Sequence, residues 1–135
     1  MPSVISALLK ARAFHLFARI VLTVPFWGAG IQHAVQWSSV PGEMAHFGLN
    51  PPVVYGVAMI ATCLIGSLLV ILGGRLTWLG AGALGVFTAL TIPIAHAFWA
   101  MQGAAAMSEF RTVMEHLAII GGLMVVAAME ANREA

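Results

Sequence analysis

The chain has 135 residues, of which 61% are hydrophobic and only 8% are charged, and its mean hydropathy is +0.95. Soluble domains carry about 25% charged residues, so this composition excludes a soluble globular protein and indicates an integral membrane protein. The net charge of +1 gives no basic face for nucleic acid, and the single cysteine, Cys63, excludes an internal disulfide and a CxxC dithiol site.

Four segments have the roughly 20 mostly apolar residues that a helix needs to cross the hydrocarbon core of a bilayer. The basic N-terminal stretch MPSVISALLKARAFHLFAR could be read as a signal peptide, but the apolar segment after it is long enough for a retained span. We therefore predict an all-α fold, a single domain over residues 1–135 built as an up-down bundle of four transmembrane helices. The predicted spans are residues 16–37, 53–72, 78–101 and 112–129.

The three gaps between the spans carry turn residues. The first, SSVPGEMAHFGLNPP, has room for a short interfacial helix from Glu43 to Phe47 that Gly48 would end. GGRL makes a tight second turn, and QGAAAMSEFR joins the third and fourth spans. Inside the spans, Pro25 and Pro93 predict kinks.

Small residues recur at four-residue spacing, which is typical of membrane helices that pack closely. Such rows allow two backbones to approach each other. The rows are Ala58, Thr62 and Gly66; Ala81 and Gly85; Ala118 and Gly122.

The basic residues predict the orientation, because those near the cytoplasmic ends of spans dominate topology. Five of them fall on one side of the predicted bundle and only Arg111 falls on the other. We therefore predict a multi-pass protein of the bacterial inner membrane with both termini in the cytoplasm. The five are Lys10, Arg12, Arg19, Arg75 and Arg133.

Three histidines from three different spans fall at one depth. His33, His96 and His116 each lie four or five residues inside the outer end of a predicted span, roughly 6–8 Å below the membrane boundary. Other polar and aromatic residues fall near the same level, which predicts a polar mouth on the non-cytoplasmic side. They are Gln32, Gln36, Gln102, Glu115, Tyr55, Trp37 and Trp99.

Several functions fit such a mouth. Histidines near an interface commonly bridge helices or contact water, whereas ionisable groups within spans often mark ligand sites. A quinone needs hydrogen bonds to two carbonyls and an apolar slot, and a histidine exchanges protons near neutral pH. A metal held by the three histidines and Glu115 is the weaker alternative, because no HxxxH or HExxH spacing is present.

On the cytoplasmic side, Arg19 lies just inside the first span and Glu130 ends the fourth. If these helices are neighbours, the two side chains form a structural ion pair. Alternatively, each extends separately to head groups and water.

Four pieces of the chain follow one another in a recognisable order. They are FARIVLTVPFWGAGIQH, HFGLNPP followed by LIGSLLVILGGRLTWLGAGAL, AHAFWAMQG with its His-x-x-Trp pattern, and HLAIIGGLMVVA. Together they resemble the DoxX family of small bacterial membrane proteins. The resemblance extends from about Leu16 to Ala128. This chain departs from many relatives, which carry lysine at the position of His33, an acidic residue at Cys63, and Lys-Asn at Glu115 and His116.

The resemblance implies a four-helix bundle in the inner membrane and an association with redox systems, but it does not settle whether the protein is an enzyme. Three functions stay open. The chain is a membrane subunit or accessory of a redox complex with a periplasmic quinone-accessible mouth, a non-catalytic anchor or assembly partner of another membrane complex, or a small transporter. The predicted partners are the lipid bilayer and a membrane or periplasmic oxidoreductase, and a homo-oligomer is compatible with the sequence.

Overall fold

The computed structural model describes residues 1–134, and these form helices and turns without any strand. Four of the helices are long and apolar enough to cross a membrane. The predicted all-α class with four membrane-spanning helices is therefore confirmed. The helices are α1 (Ser3–Lys10), α2 (Arg12–Val35), α3 (Val40–His46), α4 (Pro52–Leu72), α5 (Thr77–Ala95) and α6 (Gly103–Glu134).

The four long helices pack as a row in which α2 contacts α4, α4 contacts α5, and α5 contacts α6. The first and last members touch at few points. One is Gly122 of α6, where an added Cβ would lie 2.8 Å from Leu22 Cδ1 of α2. Another is an ion pair between Arg19 near the start of α2 and Glu130 near the end of α6. These two helix ends therefore share one end of the bundle.

The two ends of the bundle differ in composition, and we name them accordingly. The basic end contains the start of α2, the turn between α4 and α5, and the end of α6. The histidine end contains the α2–α3, α3–α4 and α5–α6 connections and the side chains of His33, His96 and His116.

Glycines bring α4 and α5 together near the basic end. A Cβ on Gly80 of α5 would lie 2.7 Å from the backbone oxygen of Gly66 in α4, so only glycine allows this approach. Among the small residues predicted to recur at four-residue spacing, Gly66 and Ala81 are buried, whereas Ala58 and Ala118 are exposed. The buried apolar core beside this glycine contact comprises Phe26, Cys63, Val70, Ala81, Leu84 and Leu123.

The ends of α5 and α6 differ from the predicted spans. Helix α5 stops at Ala95 instead of Met101, shortly after Pro93, whose ring disfavours a regular helix around it. A 3₁₀ turn, Phe98–Ala100, follows. A span that continued to Met101 would place His96 and Trp99 one turn apart on the same helix face; because the chain leaves the helix at His96, they do not share one.

Helix α6 begins at Gly103 instead of Thr112. Gly103 has φ +66, which reverses the chain direction before the helix. The three alanines that follow are strong helix formers, so the segment predicted as a connection is the first two turns of α6.

The predicted interfacial helix is present as α3, and Gly48 follows it with φ +74. The side chain of Val40 is fully buried against α4. Gly56 makes this contact fit, because a Cβ there would lie 2.6 Å from Val40 Cγ1. Helix α3 is thereby held against the histidine end, and it carries Glu43 with it.

We expect Gly80→Ala to lower stability by about 1–3 kcal/mol, because the added methyl group meets a backbone oxygen that cannot move aside cheaply. Thermal unfolding in detergent measures the effect. Gly82→Ala is the matched control, since a Cβ at Gly82 has nothing within 4 Å and alanine favours helix over glycine. Equal melting temperatures for the two variants would contradict the close approach of α4 and α5.

Candidate functional site

His96 and Glu109 form a hydrogen-bonded pair at the histidine end. Nδ1 of His96, just after α5, lies 2.7 Å from Oε2 of Glu109 in the second turn of α6. The side chains are 24% and 29% exposed, so the pair is largely shielded. An ionised carboxylate only accepts hydrogen bonds, so Nδ1–H donates to it. Nε2 is then available to accept a proton or a hydrogen bond.

His33 and Glu43 form a second histidine–carboxylate pair. Nδ1 of His33 donates to the carbonyl of Ala29 at 2.8 Å, one turn earlier in α2. Its Nε2 lies 3.2 Å from Oε2 of Glu43 in α3. Because Nδ1 already carries a proton, a hydrogen bond at Nε2 requires another proton between the ring and the carboxylate. This contact joins α2 to α3.

His116 contacts His96 and shares a cavity with His33. Its ring centroid is 4.8 Å from that of His96, with the planes at 68°. Nδ1 of His116 is buried and makes no hydrogen bond to the described residues. Together with His33, His116 lines a mostly apolar cavity of about 190 Å³ inside the bundle.

A larger cavity of about 500 Å³ opens between α3, α4, α5 and the start of α6. Its polar side chains include Glu43, His96 and Glu109, so each pair contributes to its wall. Deeper in the bundle the wall is largely apolar. The deeper lining comprises Ala58, Met59, Thr62, Phe87, Leu90 and Thr91.

The two cavities are neighbours, since Met59, Phe87 and Thr91 line both. A volume of this size, mostly apolar with a few convergent polar groups, is typical of a site for a small organic molecule. The polar groups lie at the bundle end and the apolar groups lie inside, so the larger cavity fits an amphipathic ligand.

The structure brings together only part of the predicted site. His33 and His116 line the smaller cavity, and His96 lines the larger one. Five other predicted residues are exposed and line neither of these cavities, although they belong to the same end. They are Gln32, Gln36, Trp99, Gln102 and Glu115.

The sequence reasoning missed both carboxylates of the pairs. Glu109 was placed in a connection, but with α6 starting at Gly103 it lies seven residues before His116, on the same helix face. This seven-residue spacing in the sequence was the feature that could have indicated that Glu109 lies near the histidines. Glu43 had no such signal, because its pairing depends on how α3 packs against α4.

The histidine end does not assemble the metal site weighed from the sequence. Within residues 1–134, no group of three or more His, Cys, Asp or Glu side chains is arranged to hold a metal ion. Glu115, the predicted carboxylate ligand, is exposed, whereas Glu109 contacts His96.

At the opposite end, Arg19 pairs with Glu130, and each side chain is 12% exposed. Arg133 lies on the other side of the carboxylate, with Nη1 3.7 Å from Oε1 of Glu130. Gly73, with φ +76, packs directly against the guanidinium of Arg19, so a side chain at that position would collide with it. The ion pair and the glycine turn together join α2, α6 and the α4–α5 connection.

The family model of DoxX matches residues 14–97. The chain belongs to the DoxX family. The match contains α2 to α5 and ends just after His96, so Glu109 and His116 of α6 lie beyond it. Comparison with curated proteins and with solved structures gives no match. The match covers three of the four membrane-spanning helices, and the His96–Glu109 hydrogen bond joins the matched region to α6.

We expect Glu130→Met to destabilise this DoxX protein by about 3–5 kcal/mol, because it leaves the shielded charge of Arg19 uncompensated. Thermal unfolding in detergent gives the readout. The double variant Arg19→Met, Glu130→Met should recover most of the loss, since it leaves neither buried charge unpaired. The single variant Arg19→Met completes the comparison. If the double variant loses as much stability as the two single variants lose together, the two side chains do not act as a pair.

Proposed function

We propose that this DoxX protein is a membrane subunit or accessory of a redox complex and binds a quinone in the larger cavity. The observation that carries the proposal is the placement of the His96–Glu109 pair and of Glu43 at the polar end of an otherwise apolar cavity of about 500 Å³. The apolar residues beneath them suit an isoprenoid tail that enters from the bilayer.

The chemistry of the pairs supports a quinone over a purely apolar ligand. Reduction of a quinone to its hydroquinone takes up two electrons and two protons. His96, whose charged ring Glu109 would stabilise, would donate one proton to a carbonyl oxygen, and Glu43, which lines the cavity and contacts His33, would donate the other. The electrons would come from a membrane or periplasmic oxidoreductase, the class of partner with which the family is associated.

We further propose that the protein lies in the bacterial inner membrane with both termini in the cytoplasm. The basic end carries five of the six lysine and arginine residues, namely Lys10, Arg12, Arg19, Arg75 and Arg133. The histidine end carries only Arg111, together with Glu43, Glu109 and Glu115. Positive charge favours the cytoplasmic side. The larger cavity would then open towards the periplasm, where Trp99 would lie in the interfacial belt.

Binding of a short-chain ubiquinone to the purified protein tests the site. We expect His96→Ala to weaken binding by about 5- to 150-fold, the equivalent of about 1–3 kcal/mol for a hydrogen bond lost in a shielded position. Glu109→Gln should weaken it in the same direction, because the ring loses its orienting carboxylate. An equilibrium titration in detergent measures both.

His46→Ala is the control, since His46 is an exposed histidine of α3 that lines neither cavity of the site. It should bind like the parent protein. If the parent protein does not bind the quinone, the redox proposal fails and the protein acts as an anchor or assembly partner. Equal losses in His46→Ala and His96→Ala would place the ligand elsewhere.

A reporter fused after Ala135 tests the orientation. Because the basic residues favour the cytoplasmic side, an enzyme that works only in the cytoplasm should be active in the fusion. A reporter that requires the periplasm should be inactive there. The reverse pattern would place the histidine end, and with it the larger cavity, on the cytoplasmic side.

A further inference from the structure

A third cavity, of about 340 Å³, lies at the basic end between α1, the start of α2 and the end of α6. Its charged lining consists of Arg19, Glu130 and Arg133. The remainder is mostly apolar. That part comprises Leu9, Phe14, Ala18, Val126 and Met129, beside His15.

The charges that line this cavity do not cancel. Glu130 contacts Arg19 directly, and Arg133 approaches the same carboxylate only through Nη1, at 3.7 Å. Two guanidinium groups therefore face one carboxylate, which leaves an excess positive charge. Arg133 is 48% exposed, and a guanidinium has five N–H donors, so most of its donors can reach an anion in the cavity.

Helix α1 indicates what lies outside the cavity. Its apolar side chains Val4, Ile5 and Leu8 are 77%, 47% and 54% exposed, and they recur at the spacing of one helix face. Ser3, Ser6 and Lys10 make its polar side. A short amphipathic helix that adjoins a membrane span is typical of one lying in the head-group region. His15 Nε2 donates to the Leu9 carbonyl at 2.7 Å, which fixes α1 beside α2 and the cavity.

We propose that this cavity binds the head group of an anionic phospholipid from the surrounding leaflet. The phosphate accepts hydrogen bonds from Arg133, and an acyl chain lies along Val126 and Met129. The excess positive charge favours an anionic lipid over a zwitterionic one. The apolar wall favours a lipid over free phosphate, which carries no chain. The site is independent of the proposed quinone cavity, with which it shares no lining residue.

Lipid binding to the purified full chain tests the proposal. The probes are phosphatidylglycerol and phosphatidylcholine with identical acyl chains, added to delipidated protein in detergent, and the readout is the amount of each lipid retained in native mass spectrometry. We expect preferential retention of phosphatidylglycerol. Arg133→Gln should weaken that preference about fivefold, the fold-change that corresponds to one basic residue at an anionic surface, and Arg133→Lys should keep most of it.

Arg75→Gln separates a built site from general surface charge, because Arg75 lies at the same end of the bundle but does not line the cavity. It should retain phosphatidylglycerol like the parent protein. Equal losses in Arg75→Gln and Arg133→Gln, or equal retention of the two lipids by the parent protein, would overturn the proposal. Displacement of the lipid by equimolar inorganic phosphate would also overturn it, since the acyl chain would then contribute nothing.

Discussion

The absence of water from the hydrocarbon core is the constraint on which the rest of this structure depends. A buried polar group is therefore costly unless it finds a partner within the protein. Two threonine hydroxyl groups inside the bundle find one by returning to their own helix, whereas the hydroxyl groups of Ser67 and Thr77 are buried without a partner among the described residues. Thr23 donates to the carbonyl of Arg19 at 2.8 Å, and Thr88 donates to that of Leu84 at 2.7 Å. Hydrogen bonds of this kind satisfy the hydroxyl groups but do not join helices. Helix association must therefore rest on close packing, on the Arg19–Glu130 ion pair at the basic end and on the histidine–carboxylate hydrogen bonds at the histidine end.

Close packing is unequal along the bundle, and this inequality makes room for the cavity. Helices α4 and α5 approach each other through Gly66 and Gly80 near the basic end. Towards the histidine end, the same two helices present larger residues, including Met59 on α4 and Phe87 on α5, and these line the cavity. Helix α3 covers part of the opening because Gly56 lets Val40 pack against α4. Glycine positions therefore determine both where the bundle closes and where it stays open.

Hydropathy predicted the four spans because a bilayer requires a minimum length of apolar helix. It did not predict where helices end, since a helix can continue into the interface. Residues Ala104 to Ala106 extend α6 beyond the apolar window, and this extension brings Glu109 beside His96. The partner of His96 was therefore missed through a helix boundary, although the histidine itself was identified by depth.

Depth along a helix is also a different quantity from direction around it. Successive residues of an α-helix point about 100° apart, since a turn takes 3.6 residues. Gln32 and His33 share a level, as do Glu115 and His116, yet in each pair the histidine lines a cavity and its neighbour is exposed. A count of residues from the membrane boundary cannot separate them. Their directions follow from which helices pack together, and that depends on the glycine contacts.

The two ends of the bundle are chemically separate. Phe26 lies on α2 between Arg19 and His33, Leu123 lies on α6 between His116 and Glu130, and both belong to the same buried apolar cluster. The cavities at the histidine end share no lining residue with the cavity at the basic end. A quinone bound as proposed would exchange its protons through His96 and Glu43, on the histidine side of the membrane alone, while the basic end would interact with its own leaflet.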